Sequence, residues 1–356
     1  MTASLLPPPL PTLMVVPTGI GCDLGGYAGD ALPAARLLAA ASGCLITHPN
    51  VMNGAALYWS DRRIHYVEGW SLNRFAAGDL LLRPVARQRI GLLLDAGIEE
   101  PLRRRHVQAA DACRASLGLE IGPVVSTELP LEVQLERGPS GSSWGRLAQP
   151  DALIQAAERL VAAGATALAV VARFPDDDGS DALAAYRQGS GVDALAGAEA
   201  VISHLLSRQF GLPCAHAPAL APLPLEPDLD PRAAAEELGH TFLPCVLVGL
   251  SRAPDLVHPA AARLGDLAAD QLGAVVVPDG ALGGEAVLAA HGRGVPLIVV
   301  TSNPSLLSVD ARALGLGTGS PIHHAASYAE AAGLVMALRE GISPEALKRP
   351  LSALPA

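Results

Sequence analysis

A chain of 356 residues, half of them apolar and 17% charged, has the material for a large buried core, which excludes a disordered polypeptide. A net charge of −10 lacks the basic surplus of a nucleic-acid binder. Of the 25 basic residues only Lys348 is a lysine. This argues against an interior Schiff-base lysine and pyridoxal phosphate, and excludes a Walker-type loop, which needs Gly-Lys-Ser/Thr.

In chain order, residues 1–12 read as a tail. Met1–Pro11 is rich in Leu and Pro and carries no basic residue, unlike a signal peptide. The first strand, Leu13–Pro17, is followed by the loop Thr18–Gly29, with glycines at Gly19, Gly21, Gly25 and Gly26, and by a helix over Asp30–Ala41. Glycines between a strand and a helix let backbone N–H groups approach an anion. The dinucleotide fingerprint fails, because Leu24 stands where a third glycine is needed and the next strand ends in His48 instead of an acid. Asp23 inside the loop is a candidate for holding a metal, a hydroxyl or an amine.

A second strand, Cys44–Thr47, leads into His48, Asn50 and Asn53: a general base with two amides as orienting donors, or a turn in which the amides bond the backbone. Tyr58–Val67 reads as a hairpin. Then come a strand at Arg89–Leu94, a helix at Glu99–Leu117 and a half-buried strand at Leu131–Glu136. Gly141-Ser142-Ser143-Trp144-Gly145 matches Gly-x-Ser-x-Gly, which allows a hydrolase triad of Ser143, Asp176 and His216. Pro150 delays the helix that such an elbow needs, so a ligand-covering loop is favoured.

Beyond a helix at Asp151–Ala163 and a strand at Ala167–Val171 stand Arg173 and the carboxylates Asp176, Asp177 and Asp178. Arg173 suits a bidentate clamp on a carboxylate or phosphate, and Asp176 an orienting carboxylate or a ligand for a divalent metal. Arg187, Gly189, Ser190 and Gly191 precede a helix over Asp193–Arg208 and read as a second anion site or a capping loop. Pro213–Pro231 holds six prolines, an ordered loop or a linker, and contains Cys214 and His216. A helix follows at Pro231–Leu238. Arg252 ends the apolar run around Cys245. Strands at Ala274–Val277 and Pro296–Thr301 flank Gly283 and Gly284, and a helix over Ser327–Arg339 precedes a tail at 350–356.

Short apolar strands alternating with Ala/Leu-rich helices predict an α/β fold. The sheet is largely parallel, with helices on both faces and Gly-rich loops at strand C-termini, which is where such sheets bind ligands. Val15–Gly26 and Val276–Gly284 echo one another, each reading strand, Pro-x-Gly, Gly-Gly, helix, strand. Two similar α/β halves, 13–150 and 151–349, are the expected organisation. Five widely spaced cysteines suit a reducing compartment. No apolar run reaches about 18 residues, so a cytoplasmic protein without a membrane partner is expected.

The runs PTGIGCDLGGYAGDALPAARLL, LITHPNVMNGAALYW, VEGWSLNRFAAG, VVARFPDDD, YRQGSGVDALAGAEAVISHL, PCAHAPAL and PRAAAEELGHTFLPCVLVGLSRAP together resemble a family of hypothetical proteins of cyanobacteria and photosynthetic eukaryotes, domain of unknown function 3326. The resemblance extends from about Leu13 to Leu347. It implies a photosynthetic source and a cytoplasmic or plastid location, and it supplies no activity and no catalytic residue.

The residues themselves predict an enzyme of small-molecule metabolism that acts by group transfer or hydrolysis. Its arginines point to an anionic, phosphorylated or carboxylate metabolite, with His48 or His216 as acid/base and Asp23 or Asp176 as orienting carboxylate or metal ligand. The alternatives are a non-catalytic metabolite sensor or partner-binding protein, and a serine hydrolase using Ser143. A homo-oligomer is a further expectation.

Overall fold

Strands that are apolar on both faces need cover on both sides, and the chain builds two such sheets. A computed structural model describes residues 7–53, 60–177, 179–316, 321–351 and 353–354. The chain opens with β1 (Thr12–Met14), α1 (Leu32–Ser42), β2 (Leu45–Thr47), α2 (Pro49–Met52), β3 (Ile64–Tyr66), α3 (Gly69–Ala77) and β4 (Leu81–Arg83). It then builds a second unit: β5 (Ile90–Leu94), α4 (Glu100–Leu117), β6 (Ile121–Ser126), the pair β7 (Val133–Arg137) and β8 (Ser143–Leu147), α5 (Pro150–Ala162), β9 (Ala167–Arg173), α6 (Asp181–Arg187), α7 (Ala196–Phe210) and β10 (Cys214–Ala219). The return runs through α8 (Leu243–Leu250), β11 (Asp255–Val257), β12 (Ala274–Ala281), α9 (Glu285–Gly292), β13 (Leu297–Val309), β14 (Ile322–Ala325) and α10 (Tyr328–Arg339).

The larger sheet has the order β14-β13-β12-β1-β2-β3 and is parallel throughout. It joins strands from the two ends of the chain. The smaller sheet, β10-β9-β5-β6, is also parallel and comes wholly from the middle. Antiparallel pairing of β4 with β11 ties the outgoing and returning segments together. The expected division at residue 150 falls at the first residue of α5, inside the stretch that builds the smaller sheet.

Alternation along each strand explains the helix layers. Met14, Val276 and Ile298 face α1 and α10, whereas Leu13, Val275 and Leu297 face α3 and α9. In the smaller sheet Ile90, Leu92 and Leu94 face α4 and α8, and Leu93, Leu168 and Val170 face α5 and α7. From the β1/β12 pair the chain steps to β2 on one side and to β13 on the other. Crossovers of one hand then send α1 and α9 to opposite faces, as observed. The pair β1/β12 is thus the point where strand order reverses.

The segment read as a hairpin differs in part. Ile64–Tyr66 pairs parallel to β2 as an edge strand, because the crossover through α2 returns it in the same direction. Tyr58 and Trp59 of that reading, and Gly54 beside Asn53, lie outside the described residues.

Candidate active site

A cavity of about 1050 Å³ is bordered by the carboxyl ends of β2 and β10 and by α6 and α7. His48 enters it from the end of β2, His216 from β10, and Glu199, Ser203 and His204 from α7. The proline-rich segment after β10 closes one side with Leu220, Leu223 and Leu229. It is a wall of the cavity, but only from Leu220 onward: the first part of the stretch read as loop or linker, Cys214–Ala219, is the strand β10, paired with β9. Pro227 and Pro231 pin φ and remove N–H donors that would otherwise need partners there.

Acids dominate the polar lining. Glu236 stands in a 3₁₀ turn, Ala233–Gly239, which replaces the helix expected at Pro231–Leu238. Its Oε1 accepts from the Ala28 amide (3.0 Å) and from the Tyr186 hydroxyl (2.5 Å), and its Oε2 takes neither bond. Tyr186 is in turn clasped by Tyr27, with ring centroids 4.6 Å apart, and the Tyr27 hydroxyl donates to Tyr186 O. Burial pushes the Glu236 carboxyl up to about 7. The two hydrogen bonds oppose that rise, and the Glu199 and Asp30 charges add to it. Asp193 accepts from the Leu195 amide (2.8 Å), and burial, with Glu199 and Glu236 nearby, raises its carboxyl well above the usual range. Asp30 accepts from the Gly25 amide (2.8 Å) and meets Arg232 at 3.4 Å, and burial still lifts it to about 6. Taking carboxylates out of water favours their neutral forms.

Two histidine–carboxylate pairs stand side by side on α7. His204 Nε2 lies 3.0 Å from Glu68 Oε1, while Glu68 also caps α3 through the Trp70 and Ser71 amides. His216 Nε2 lies 3.5 Å from Glu199 Oε2, and its Nδ1 is 2.5 Å from Ser203 Oγ. His48 behaves differently. Its Nε2 accepts the Val16 amide (3.0 Å) and burial lowers its pKa to about 4. It is a neutral imidazole whose proton sits on Nδ1, a hydrogen-bond donor instead of a free base.

The other predicted residues divide by what already holds them. Thr18 and Asn50 border the cavity, and Asn50 Nδ2 ties Val16 O to Gly25 O. Asn53 accepts from Tyr66. In the first glycine loop, Gly19, Gly21 and Gly25 take positive φ, and several of its amides are already bonded within the protein. Asp23 donates to Pro304 O, Leu24 to Asn303 Oδ1 and Gly25 to Asp30. Asp23 is exposed and outside the cavity lining. Arg173 is ion-paired with Glu99 (2.9 Å) and Asp176 (2.5 Å), which raises its pKa and lowers that of Asp176. Asp178 lies outside the described residues. Arg187 donates to Pro224 O, and Gly189, Ser190 and Gly191 close the C-terminal turn of α6, before α7 begins at Ala196. Arg252 meets Ser60, and Gly283 and Gly284 start α9; none of the three lines the cavity. Ser143 begins the strand β8 instead of a helix, and its Oγ accepts from the Gly197 amide, while Asp176 accepts from the Ala221 amide and His216 meets Ser203, so the three each have other partners. Among the described residues no cluster of His, Cys, Asp and Glu is arranged to hold a metal ion.

Sequence reading passed over Glu68, Asp193, Glu199, Ser203, Tyr186 and Glu236. One signal was present: Glu199 and Ser203 stand four apart, with His204 beside them, on a helix otherwise rich in Ala, Val, Ile and Leu.

Comparison with known proteins gives the chain its relatives. It is 54% identical over 338 residues to an uncharacterized lipoprotein of Synechococcus sp. (strain ATCC 27144 / PCC 6301 / SAUG 1402/1), covering 95% of this chain and 93% of the relative. That name corrects the expectation of a cytoplasmic location, since a lipoprotein points to a membrane-anchored or envelope setting. Acyl chains anchor a protein without any spanning helix, so the lack of a long apolar run never bore on that question. No helix among the described residues is long and apolar enough to cross a membrane. No solved structure matches the chain. A family model described as protein of unknown function (DUF3326) matches residues 11–348, and the chain belongs to that family.

Proposed function

We propose that the protein is an acid–base enzyme for a small uncharged or cationic metabolite bearing a hydroxyl or amine group and an apolar portion. The observation that carries this reading is Glu236: a carboxyl held near pH 7, bonded among the described residues on one oxygen only, in a cavity with Asp193, Glu199 and His216. A group whose pKa sits near the working pH both gives and takes protons efficiently. Neighbouring acids that differ in proton affinity divide the acid and base roles. An anionic ligand is disfavoured here. Arg173 lies outside the lining, paired with Glu99 and Asp176. Although Arg105 and Arg187 border the cavity, Arg187 donating to Pro224 O, an anion would meet seven lining carboxylates, Glu236 and Glu199 among them. His48 donates from Nδ1 to orient the polar group, and Leu220, Leu223 and Leu229 receive the apolar part.

The test is a melting-temperature screen of the purified chain against pooled amines, polyols, sugars and esters, with phosphorylated metabolites as the opposing pool, followed by mass spectrometry for product. A neutral or cationic hit that turns over, with Glu236→Gln at least about 100-fold slower, is the expected result. Stabilisation by phosphorylated compounds alone, or binding without any product, overturns the reading.

A further inference from the structure

The polar wall of the cavity contains an arrangement that acid–base chemistry at Glu236 does not use. Ser203 Oγ is 2.5 Å from His216 Nδ1, and the opposite ring nitrogen, Nε2, faces Glu199 Oε2 at 3.5 Å. The three residues come from two rigid elements packed on one another: Glu199 and Ser203 lie one turn apart on α7, and His216 sits mid-strand in β10. Ser203 is 2% exposed and borders the cavity. Hydroxyl, imidazole and carboxylate in this order are the components that turn a serine into a nucleophile, wherever they occur along a chain.

We propose that Ser203 is a nucleophile, with His216 its general base and Glu199 the group that orients the imidazole, and that the cavity accepts a carbonyl substrate of the ester or amide class. With the His216 proton on Nε2 and directed at Glu199, the Nδ1 lone pair faces the serine. Ser203 Oγ bonds to the substrate carbonyl carbon as its proton passes to Nδ1. Collapse of the tetrahedral adduct breaks the bond to the leaving alcohol or amine, which takes that proton. Water then adds to the acyl-serine, gives a proton to Nδ1, and the proton returns to Ser203 as the acid departs. Electrons and atoms balance with water as the only co-reactant. A contact of 3.5 Å between His216 and Glu199 is of the looseness usual before a substrate is bound.

The inference deepens the acid–base reading and rests on it for the cavity as the substrate site. Neutral esters and amides belong to the uncharged ligands that an acidic cavity admits.

The test uses the full chain with a short-alkyl fluorophosphonate and, separately, p-nitrophenyl acetate. The expected result is one adduct per chain, mapped to Ser203 by peptide mass spectrometry, and a burst of p-nitrophenolate stoichiometric with protein. Ser203→Ala abolishes both, His216→Ala slows both by about 100-fold or more, and Glu199→Gln slows them by less. Melting temperature confirms that each variant is folded, and Ser203→Gly, which also lacks a nucleophile, replaces the alanine variant if that one is not. An adduct mapped elsewhere, Ser143 included, or no adduct on folded wild-type protein, overturns the nucleophile. Turnover that depends on Glu236 without any Ser203 adduct leaves the acid–base reading standing and removes only this step. A Ser203 adduct with no turnover of any uncharged or cationic compound does the reverse.

Discussion

The turns that follow β1 and β12 look alike in sequence and have opposite fates. Both leave adjacent parallel strands of the larger sheet through glycines and enter helices. After β1 the loop swings to the α1 face, borders the cavity with Thr18 and Ala28, and holds Glu236 by the Ala28 amide. After β12 the chain swings to the α9 face and is covered by its own neighbour. The long β13 continues past the sheet, so that Ala281 pairs with Val309 and the Leu282 amide donates to Val309 O. The same extension fills the crevice between the two turns: Asn303 bonds Leu24 on both its backbone groups, and the Leu306 amide donates to Gly21 O. At a switch point in an open sheet a ligand is the usual occupant. Here the protein occupies that crevice itself, and the open volume lies on the side of the first turn that faces the smaller sheet. Local pattern sets where a turn occurs, while tertiary neighbours decide whether it is a site.

Replacing one glycine in the first turn breaks this contrast most severely. Gly25 has φ +86°, and a Cβ there would sit 2.4 Å from Val16 Cγ1, itself fully buried in the core just past β1. Left-handed backbone strain and an overpacked core together give a loss of roughly 3–5 kcal/mol for Gly25→Ala. Chemical denaturation measures it. A loss under about 1 kcal/mol would mean that the loop relaxes freely and does not fix the cavity wall.

The acid cluster attached to that turn makes the next largest effect, and its sign is set by burial. Between about pH 4.5 and 7 the unfolded chain has released the Glu236 proton while the folded chain keeps it, so stability falls as pH rises through this window and levels off above about 7. Asp30, lifted to about 6, adds to the decline over the lower part of the range. Glu236→Gln removes the Glu236 share and keeps a partner for the Tyr186 hydroxyl and the Ala28 amide. The variant is expected to be no more stable than wild type at pH 4.5 and more stable by roughly 2 kcal/mol at pH 8. Paired denaturation curves at the two pH values check this. An equal difference at both would place the Glu236 carboxyl back in the ordinary range.

The contrast also marks what could be read from residues alone. The inner strands of both sheets were legible because buried parallel strands are unbroken apolar runs, as in Ala167–Arg173 and Ala274–Ala281, whereas the edge strands Ile121–Ser126, Cys214–Ala219 and Ile322–Ala325, shorter in apolar run and broken by Pro, His or Gly, were not. The partition of those strands between two sheets was hidden, since β1 pairs with β12 across more than two hundred residues and no local signal encodes that contact. Two residues singled out in the sequence, His48 just past β2 and His216 in β10, border the cavity. The arginines misled, because an Arg at a strand end looks the same whether it awaits a ligand or is met by Glu99 and Asp176, as Arg173 is. The acids escaped because Asp30 and Asp193 begin helical segments and so resemble caps. Instead, α1 starts at Leu32 and α7 at Ala196, and each carboxyl bonds a loop amide.

The smallest effect is the most direct check on the comparison, since it uses the turn that resembles the first and lacks its role. Gly284 caps α9 with φ −70°, a conformation open to any residue, and a Cβ there would lie 3.8 Å from its nearest neighbour, Val287 Cγ2. Alanine at this position restricts the unfolded chain, which stabilises by a few tenths of a kcal/mol. It is also a poorer N-cap than glycine by a similar amount. The two offset, and Gly284→Ala should change stability by less than about 0.5 kcal/mol and leave ligand-induced stabilisation of the cavity untouched. A variant that lost ligand response would tie the β12 turn to the site through the β13 extension. An inert one confines the site to the β1 turn and the acids and histidines gathered against it.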